Sequence, residues 1–281
     1  MLIVIAGPTG VGKSDCSLAL AKVFNAEIIN ADSMQIYRGM DIATAKVTKK
    51  EQQAVKHHLL DIKDYDEDYS IYDYQIDARK IIDNNPDKNY IIVGGSGLYI
   101  KSLLYNYQFE EENTSYSFDE YTNQELYDMA LKKDPNINIH INNRKRLIRF
   151  LNKQSPNNVK AELMYPNTIF IGLTMDRSLL YDRVDKRVYA MEEKGLIAEA
   201  KHFYGLNHNV KSLKTVIGYK ELFKYFDNEI SLDEALELIK KNSRHYAKRQ
   251  YTFFNNQFDL KWFDVTNKDY LDEIISYIKS K

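Results

Sequence analysis

The chain has 281 residues, with 39 Lys+Arg against 40 Asp+Glu and a formal net charge of -1. At 44% hydrophobic and 28% charged it can bury a core, and its near-neutral balance excludes a coat that grips nucleic acid by bulk positive charge, so any polyanion must meet a local basic patch. The single cysteine, Cys16, excludes an internal disulfide and a multi-cysteine zinc site and points to a reducing, cytoplasmic compartment; no apolar run approaches the roughly 20 residues that cross a bilayer, and MLIVIAGPTG lacks the basic leader of a signal peptide.

LIVIAG (residues 2–7) is a continuous apolar run ending in glycine, the pattern of a strand buried on both faces. Residues 14–24 carry Leu18, Leu20, Ala21 and Phe24 at helical spacing, and AEIINAD (26–32) reads as a second strand ending in an acid. A helix is predicted over 70–82, a third buried strand at YIIVGG (90–95), and a helix from GLYIKSLLYN onward. Strand and helix alternate with short joints, which gives an α/β fold with a parallel sheet and right-handed crossovers. The stretch 108–121, QFEEENTSYSFDEY, is acidic, polar and turn-rich, and marks a boundary. Helices are predicted over 120–132 and 143–153, NKQSPNN (152–158) as a loop, and TIFIGLTM (168–175) as a strand that returns the chain to the sheet. Helices resume near Ser178, Leu196, Ile217 and Ser231, and LKWFDV is a last strand before a terminal helix. The expected organisation is a P-loop parallel-sheet core of residues 1–109 and 168–281 with a small helical insertion domain at 110–167.

GPTGVGKS runs Gly7, Pro8, Thr9, Gly10, Val11, Gly12, Lys13, Ser14 and fits G-x-x-x-x-G-K-[ST], between a strand and a helix. Gly10 and Gly12 let the backbone curl so that its N–H groups converge on one phosphate, and the helix amino end adds positive potential. Lys13 brings a full charge, and Ser14 can ligate Mg2+. The loop does not say which phosphate compound it takes. YIIV ends in Gly94-Gly95, with no carboxylate to help hold magnesium, which disfavours a nucleotide hydrolase and leaves room for a diphosphate that is itself the leaving group. Asp32 ends the second strand at the same sheet edge, where ligands of parallel sheets bind. It can accept a proton from an attacking amine or hold magnesium, and it can equally cap a helix starting at Ser33. His57-His58 lacks a third ligand at a fitting spacing, so packing or capping is expected there, and Cys16 is read as a small core residue.

DSMQIYRGMDIATAK (32–46), HHLLDI (57–62), VGGSGLYIKSL (93–103), KRLIR (145–149), IGYKE (217–221) and RHYAKRQYTFF (244–254), together with the phosphate loop, resemble the bacterial tRNA dimethylallyltransferase (tRNA isopentenyltransferase) family. The resemblance implies an enzyme that transfers a dimethylallyl group from dimethylallyl diphosphate to the exocyclic amine of the adenine 3′ of the anticodon in tRNA, releasing diphosphate. It implies Asp32 as the catalytic carboxylate and Gly7 to Ser14 as the diphosphate or nucleotide cradle, with Mg2+ as cofactor. Arg183 and Arg187, four apart on a predicted helix, would meet the leaving charge. Thr44 and Lys46 would lie near the diphosphate. The tRNA-binding residues would be Asp32, Ser33, Met34, Gln35, Ser96 and, in the insertion, Lys145, Arg146, Leu147, Ile148 and Arg149, meeting the anticodon stem-loop. Phe253 and Asn255 stand where the family usually has tryptophan and often arginine, and the region 110–133 is shorter than usual. Arg244, Lys248 and Arg249 can equally support the fold, and Tyr37, Tyr99 and Tyr219 are read as core. The expected state is a cytoplasmic monomer. Three rivals stay open: transfer to a free adenine nucleotide, a small-molecule kinase using ATP, and a non-catalytic RNA-binding module.

Overall fold

The computed structural model describes residues 1–106, 117–152, 162–207 and 210–281. Residues 108–116 of the expected boundary and 153–158 of the expected loop lie outside the described residues. Six strands form one parallel sheet: β1 (Leu2–Ala6), β2 (Ala26–Asn30), β3 (His57–His58), β4 (Asn89–Val93), β5 (Thr168–Thr174) and β6 (Lys261–Asp264), in the order β3-β2-β4-β1-β5-β6. β1 is the centre, and all five of its residues are buried because helices cover both faces. Ile3 and Ile5 point to one core and Leu2, Val4 and Ala6 to the other, as the two-residue period of a strand requires. Each fully buried Ile or Val stabilises the fold by about 1.5–3 kcal/mol relative to exposure.

The helices are α1 (Lys13–Val23), α2 (Lys49–Ala54), α3 (Ile71–Asp83), α4 (Gly97–Leu104), α5 (Asn123–Lys133), α6 (Arg144–Asn152), α7 (Arg177–Glu193), α8 (Leu196–Asn207), α9 (Lys211–Thr215), α10 (Tyr219–Phe226), α11 (Leu232–Gln257) and α12 (Tyr270–Lys279). Helices α1, α3, α4, α7, α11 and α12 stand where the sequence placed them, within a few residues. The short α2, α9 and β3 were not expected. A helix starting at Ser33 does not form: after β2 the chain makes turns until Lys49.

The chain divides into two compact units, Met1–Tyr105 with Leu163–Lys281, and Asn106–Glu162. The second starts and ends a few residues earlier than 110–167, because Leu163 and Tyr165 pack on the core of the first unit. Within the second unit, α5 and α6 enclose a small core of Leu126, Ala130 and Leu147. Arg144 ties its loop by donating to the carbonyls of Tyr121 and Phe118. In the first unit, a third cluster built on α8, α10 and the start of α11 buries Phe203, Tyr219, Leu222 and Leu236. Gly172 on β5 faces Trp262 on β6 so closely that a Cβ there would lie 2.5 Å from the indole. Among the described residues no helix is long and apolar enough to cross a membrane.

Candidate active site

Three loops leave the carboxyl ends of adjacent strands. Gly7–Gly12 follows β1, Ala31–Asp32 follows β2, and Gly94–Ser96 follows β4, which lies between the other two. The middle loop must be thin. A Cβ on Gly94 would lie 2.1 Å from the Ala31 carbonyl, and one on Gly95 would lie 2.2 Å from Gln250 Nε2 and 3.5 Å from Asp32 Oδ2. The glycine pair that carries no acid is therefore what lets the neighbouring Ala31–Asp32 loop and Gln250 approach the middle loop so closely.

Gly10 and Gly12 sit at φ +83° and +105°, the left-handed region that glycine tolerates. Gly12 is the N-cap of α1, so no side chain closes the amino end of this helix and its first N–H groups stay available to an anion. Val11 points its side chain into the core, and only its backbone belongs to the loop. Lys13 Nζ donates to the carbonyls of Gly7 and Pro8 at 3.0 and 2.9 Å, folded back over the cup. Burial, then the charge of Arg187, pushes the Lys13 ammonium down to about 7, against the opposing pull of Asp32. The charged groups of Lys13 and Arg187 are thus both buried here, with the half-buried Asp32 as the nearby counter-charge. Arg187 on α7 donates to Thr9 Oγ1 at 3.2 Å, and burial followed by the field of Asp32 and Arg183 acts on its guanidinium. Arg183, one turn earlier, lies 3.6 Å from where a Gly12 Cβ would be, directly over the amino end of α1.

Asp32 is held by its backbone. Its N–H donates to Asn30 Oδ1 and its carbonyl accepts from Asn30 Nδ2, while Asn30 also donates to the Leu59 carbonyl. One carboxylate oxygen, Oδ1, accepts the Met34 N–H at 3.0 Å. This local turn replaces the helix cap that the sequence also allowed. Ser96 Oγ accepts the Ser33 N–H and donates to Ser33 Oγ, so the two hydroxyls meet at 3.1 Å. Gln35 is turned away to the Thr44 carbonyl, and Met34 Sδ accepts from Thr215. A cavity of about 400 Å³ opens beside Ser33 and Met34, walled also by Tyr37, Tyr69 and Ser212.

Several expected residues have other work. Lys46 Nζ donates to the Tyr37 carbonyl and to Asp41 and Asp61, at 2.8, 2.8 and 2.5 Å, so its charge is spent inside the protein and not on a diphosphate. Thr44 Oγ1 is bonded to the Met40 carbonyl. Leu147 is fully buried, so its side chain has no surface to offer RNA; Lys145, Arg146 and Arg149 are exposed on α6 and Ile148 is half-buried. Arg244 pairs with Asp185 at 2.6 Å, and Arg249 lies over the Tyr246 ring. His58 bonds Glu27 and His57 bonds the Val55 carbonyl, as members of β3 and its approach. Tyr37, Tyr99 and Tyr219 are buried, and so is Cys16.

Three residues escaped the sequence reading. Asn30 is a buried polar residue at the end of an apolar strand. Glu199 accepts three consecutive N–H groups, from Asp41, Ile42 and Ala43, and also the Tyr219 hydroxyl. Gln250 is buried between Thr9 and Gly95. Gln250 and Asn30 share one signal that could have found them, an uncharged polar side chain at a core-facing position of an apolar pattern.

For a cation the cup provides the Ser14 hydroxyl, in the first turn of α1, while the Thr9 hydroxyl accepts from Arg187. Among the described residues no group of three or more His, Cys, Asp or Glu could cage a metal. That donor set fits magnesium, which keeps water and phosphate oxygens as its other ligands, and does not fit zinc.

The IPP transferase family model matches residues 35–257. A tRNA dimethylallyltransferase of Bacillus subtilis (strain 168) is 44% identical over 288 residues, covering 94% of this chain and 91% of its own. The solved tRNA isopentenylpyrophosphate transferase of Bacillus halodurans is 40% identical with a TM-score of 0.78, covering 99% of this chain and 95% of its own. A eukaryotic dimethylallyltransferase, solved acting on tRNA, is 27% identical with a TM-score of 0.80, covering 100% of this chain and 80% of its own.

Proposed function

The chain belongs to the IPP transferase family and is a tRNA dimethylallyltransferase, and from that premise we propose how its residues divide the reaction. The exocyclic amine of an adenine 3′ of the anticodon attacks C1 of dimethylallyl diphosphate. The C–N bond forms, the C1–O bond breaks, and diphosphate leaves with the bonding pair. The proton released from the amine goes to the Asp32 carboxylate, whose Oδ1 is already fixed by the Met34 N–H. The leaving diphosphate is met by backbone N–H groups of Gly10 and of residues 12–14, by Lys13 and by Arg187, with Arg183 above the amino end of α1.

The observation that supports this reading is geometric: a Cβ on Gly95 would lie 3.5 Å from Asp32 Oδ2 and 2.2 Å from Gln250 Nε2, and Gln250 bonds the Thr9 N–H of the phosphate loop, so carboxylate and loop stand at one sheet edge. Burial, and then the neighbouring charge of Arg187, makes Lys13 easy to deprotonate, and arrival of a diphosphate supplies the counter-charge that favours its ammonium form. Mg2+, held by the Ser14 hydroxyl, would screen the diphosphate when bound. A flipped adenine is expected on the Ser33–Ser96 side, where two hydroxyls and the neighbouring cavity offer hydrogen bonds to a base edge. Lys145, Arg146 and Arg149 give the second unit three exposed cations for phosphates of the stem-loop.

The test is mass spectrometry of tRNA digested after incubation with the protein, dimethylallyl diphosphate and magnesium. The expected result is an adenosine heavier by one isoprene unit, in the fragment that holds the anticodon. Asp32→Ala should abolish it while pyrophosphate still binds. Near-normal turnover by that variant would remove Asp32 as the base, and prenylated AMP in place of tRNA would change the acceptor.

A further inference from the structure

Helix α11 sends into this site a polar side chain that the reaction above does not use, Gln250. Gln250 is 5% exposed and shares its inward face with Ala247 and Phe254. Its Oε1 accepts the Thr9 backbone N–H at 2.7 Å, and its Nε2 donates to the Gly95 carbonyl at 3.0 Å. The Tyr246 hydroxyl lies at the same place, 3.3 Å from where a Cβ on Gly95 would be. The orientation of the amide is forced. Turned over, Nε2 would meet an N–H and Oε1 a carbonyl, two like-polarity contacts in a buried place.

The two backbone groups belong to opposite partners in the reaction. Thr9 lies in the loop that holds the diphosphate, and its hydroxyl accepts from Arg187. Gly95 precedes Ser96 on the adenine side and lies against Asp32. β1 and β4 are paired as far as Ile5 and Val93, and beyond that pair Gln250 links the loops that continue them. A hydrocarbon of the same volume would fill the space and leave the partly buried Thr9 N–H and the buried Gly95 C=O without this partner. Transfer requires C1 of the donor and the adenine nitrogen to be brought to about 3–3.5 Å, so the spacing of these loops acts directly on the rate.

We propose that Gln250 is a positioning residue for prenyl transfer: a strut that sets the diphosphate loop against the adenine-side loop by bonding both backbones at once. The proposal rests on the functional reading above. Gln250→Met keeps the bulk and removes both bonds. In single-turnover assays with saturating dimethylallyl diphosphate and an anticodon stem-loop, this variant should transfer about ten-fold or more slowly. Its Kd for pyrophosphate alone should move by less than about three-fold, because the cup itself is intact. A residue that only filled the core would lower Tm and leave the rate of the folded fraction unchanged. Transfer by folded Gln250→Met within about two-fold of the wild type overturns the proposal.

A second measurement needs no variant to fold. In the unliganded wild-type protein the Thr9 amide should exchange its hydrogen about a hundred-fold more slowly than an open amide, and exchange at the open rate overturns the strut. Should the wild type leave the stem-loop unmodified, the functional reading fails, and the Thr9 exchange rate still decides whether the strut exists.

Discussion

Helix α3 begins with Ser70 and Asp73 each accepting the other's backbone N–H, and α2, α5 and α11 begin with the same reciprocal box, at Thr48–Glu51, Thr122–Glu125 and Ser231–Glu234. The two helices that start at the site edge do otherwise. α1 starts from a left-handed glycine with no side-chain cap, and α4 starts from Ser96, whose hydroxyl is given to Ser33 instead. At these four starts the amino ends are satisfied within the chain and serve stability. At the site edge the amino ends are left for something else to complete. The same contrast holds for charge: Lys46 is neutralised by two carboxylates, while Lys13 is buried beside another cation and made unstable as an ammonium.

The contrast breaks most visibly at Asp32. Asp32→Asn keeps the shape and the bond to the Met34 N–H but removes the proton acceptor, and transfer should fall by about 10³-fold with pyrophosphate affinity little changed. Equal transfer by the variant would make Asp32 an orienting group only. Lys13→Met should weaken the binding of dimethylallyl diphosphate by about 10–100-fold, the value of a charge-assisted hydrogen bond, without lowering the stability of the unliganded protein. A drop in Tm comparable to the loss of a core residue would place Lys13 with the capped, structural class.

The pH dependence sharpens the same point. Lys13 binds its proton less well in the folded protein, at about 7, than its ordinary value of 10.5. Between those values the unfolded chain holds more protons, so the unliganded protein should gain stability as pH rises from about 7 to about 10.5, and Lys13→Met should lack that gain. Diphosphate favours the charged form, so its affinity should fall over the same window, with proton uptake on binding measurable by calorimetry in buffers of different ionisation enthalpy. The smallest effect is expected far from the cup. Ser70→Ala should cost about 1 kcal/mol in denaturant unfolding and leave transfer unchanged.

The same division explains what could be read from the sequence. β1, β4 and β5 are unbroken apolar runs because both faces are covered, and the phosphate loop announces itself by spacing, since no other residues make that curl. Boxes such as Ser70–Asp73 mark helix starts openly. Glu199 was invisible because three of its four partners are backbone N–H groups of a turn more than 150 residues earlier. Gln250 follows Lys248 and Arg249, and charged neighbours hide a core position, although the helix turns the glutamine inward. Lys46 was placed by resemblance near the diphosphate, and only the fold shows that Asp61, fifteen residues on, reaches it first. α2, α9 and β3 are too short to produce a period of their own.

The indole lodged against Gly172 has a practical consequence. Trp262 is the single tryptophan of the chain, and the Tyr251 ring of α11 lies 5.0 Å from it. Intrinsic fluorescence excited at the red edge therefore watches one spot, the seam where the last strand closes on its neighbour and on the long helix. An emission change during unfolding will date the departure of that strand, and a silent titration with donor will say nothing about whether the cup has filled.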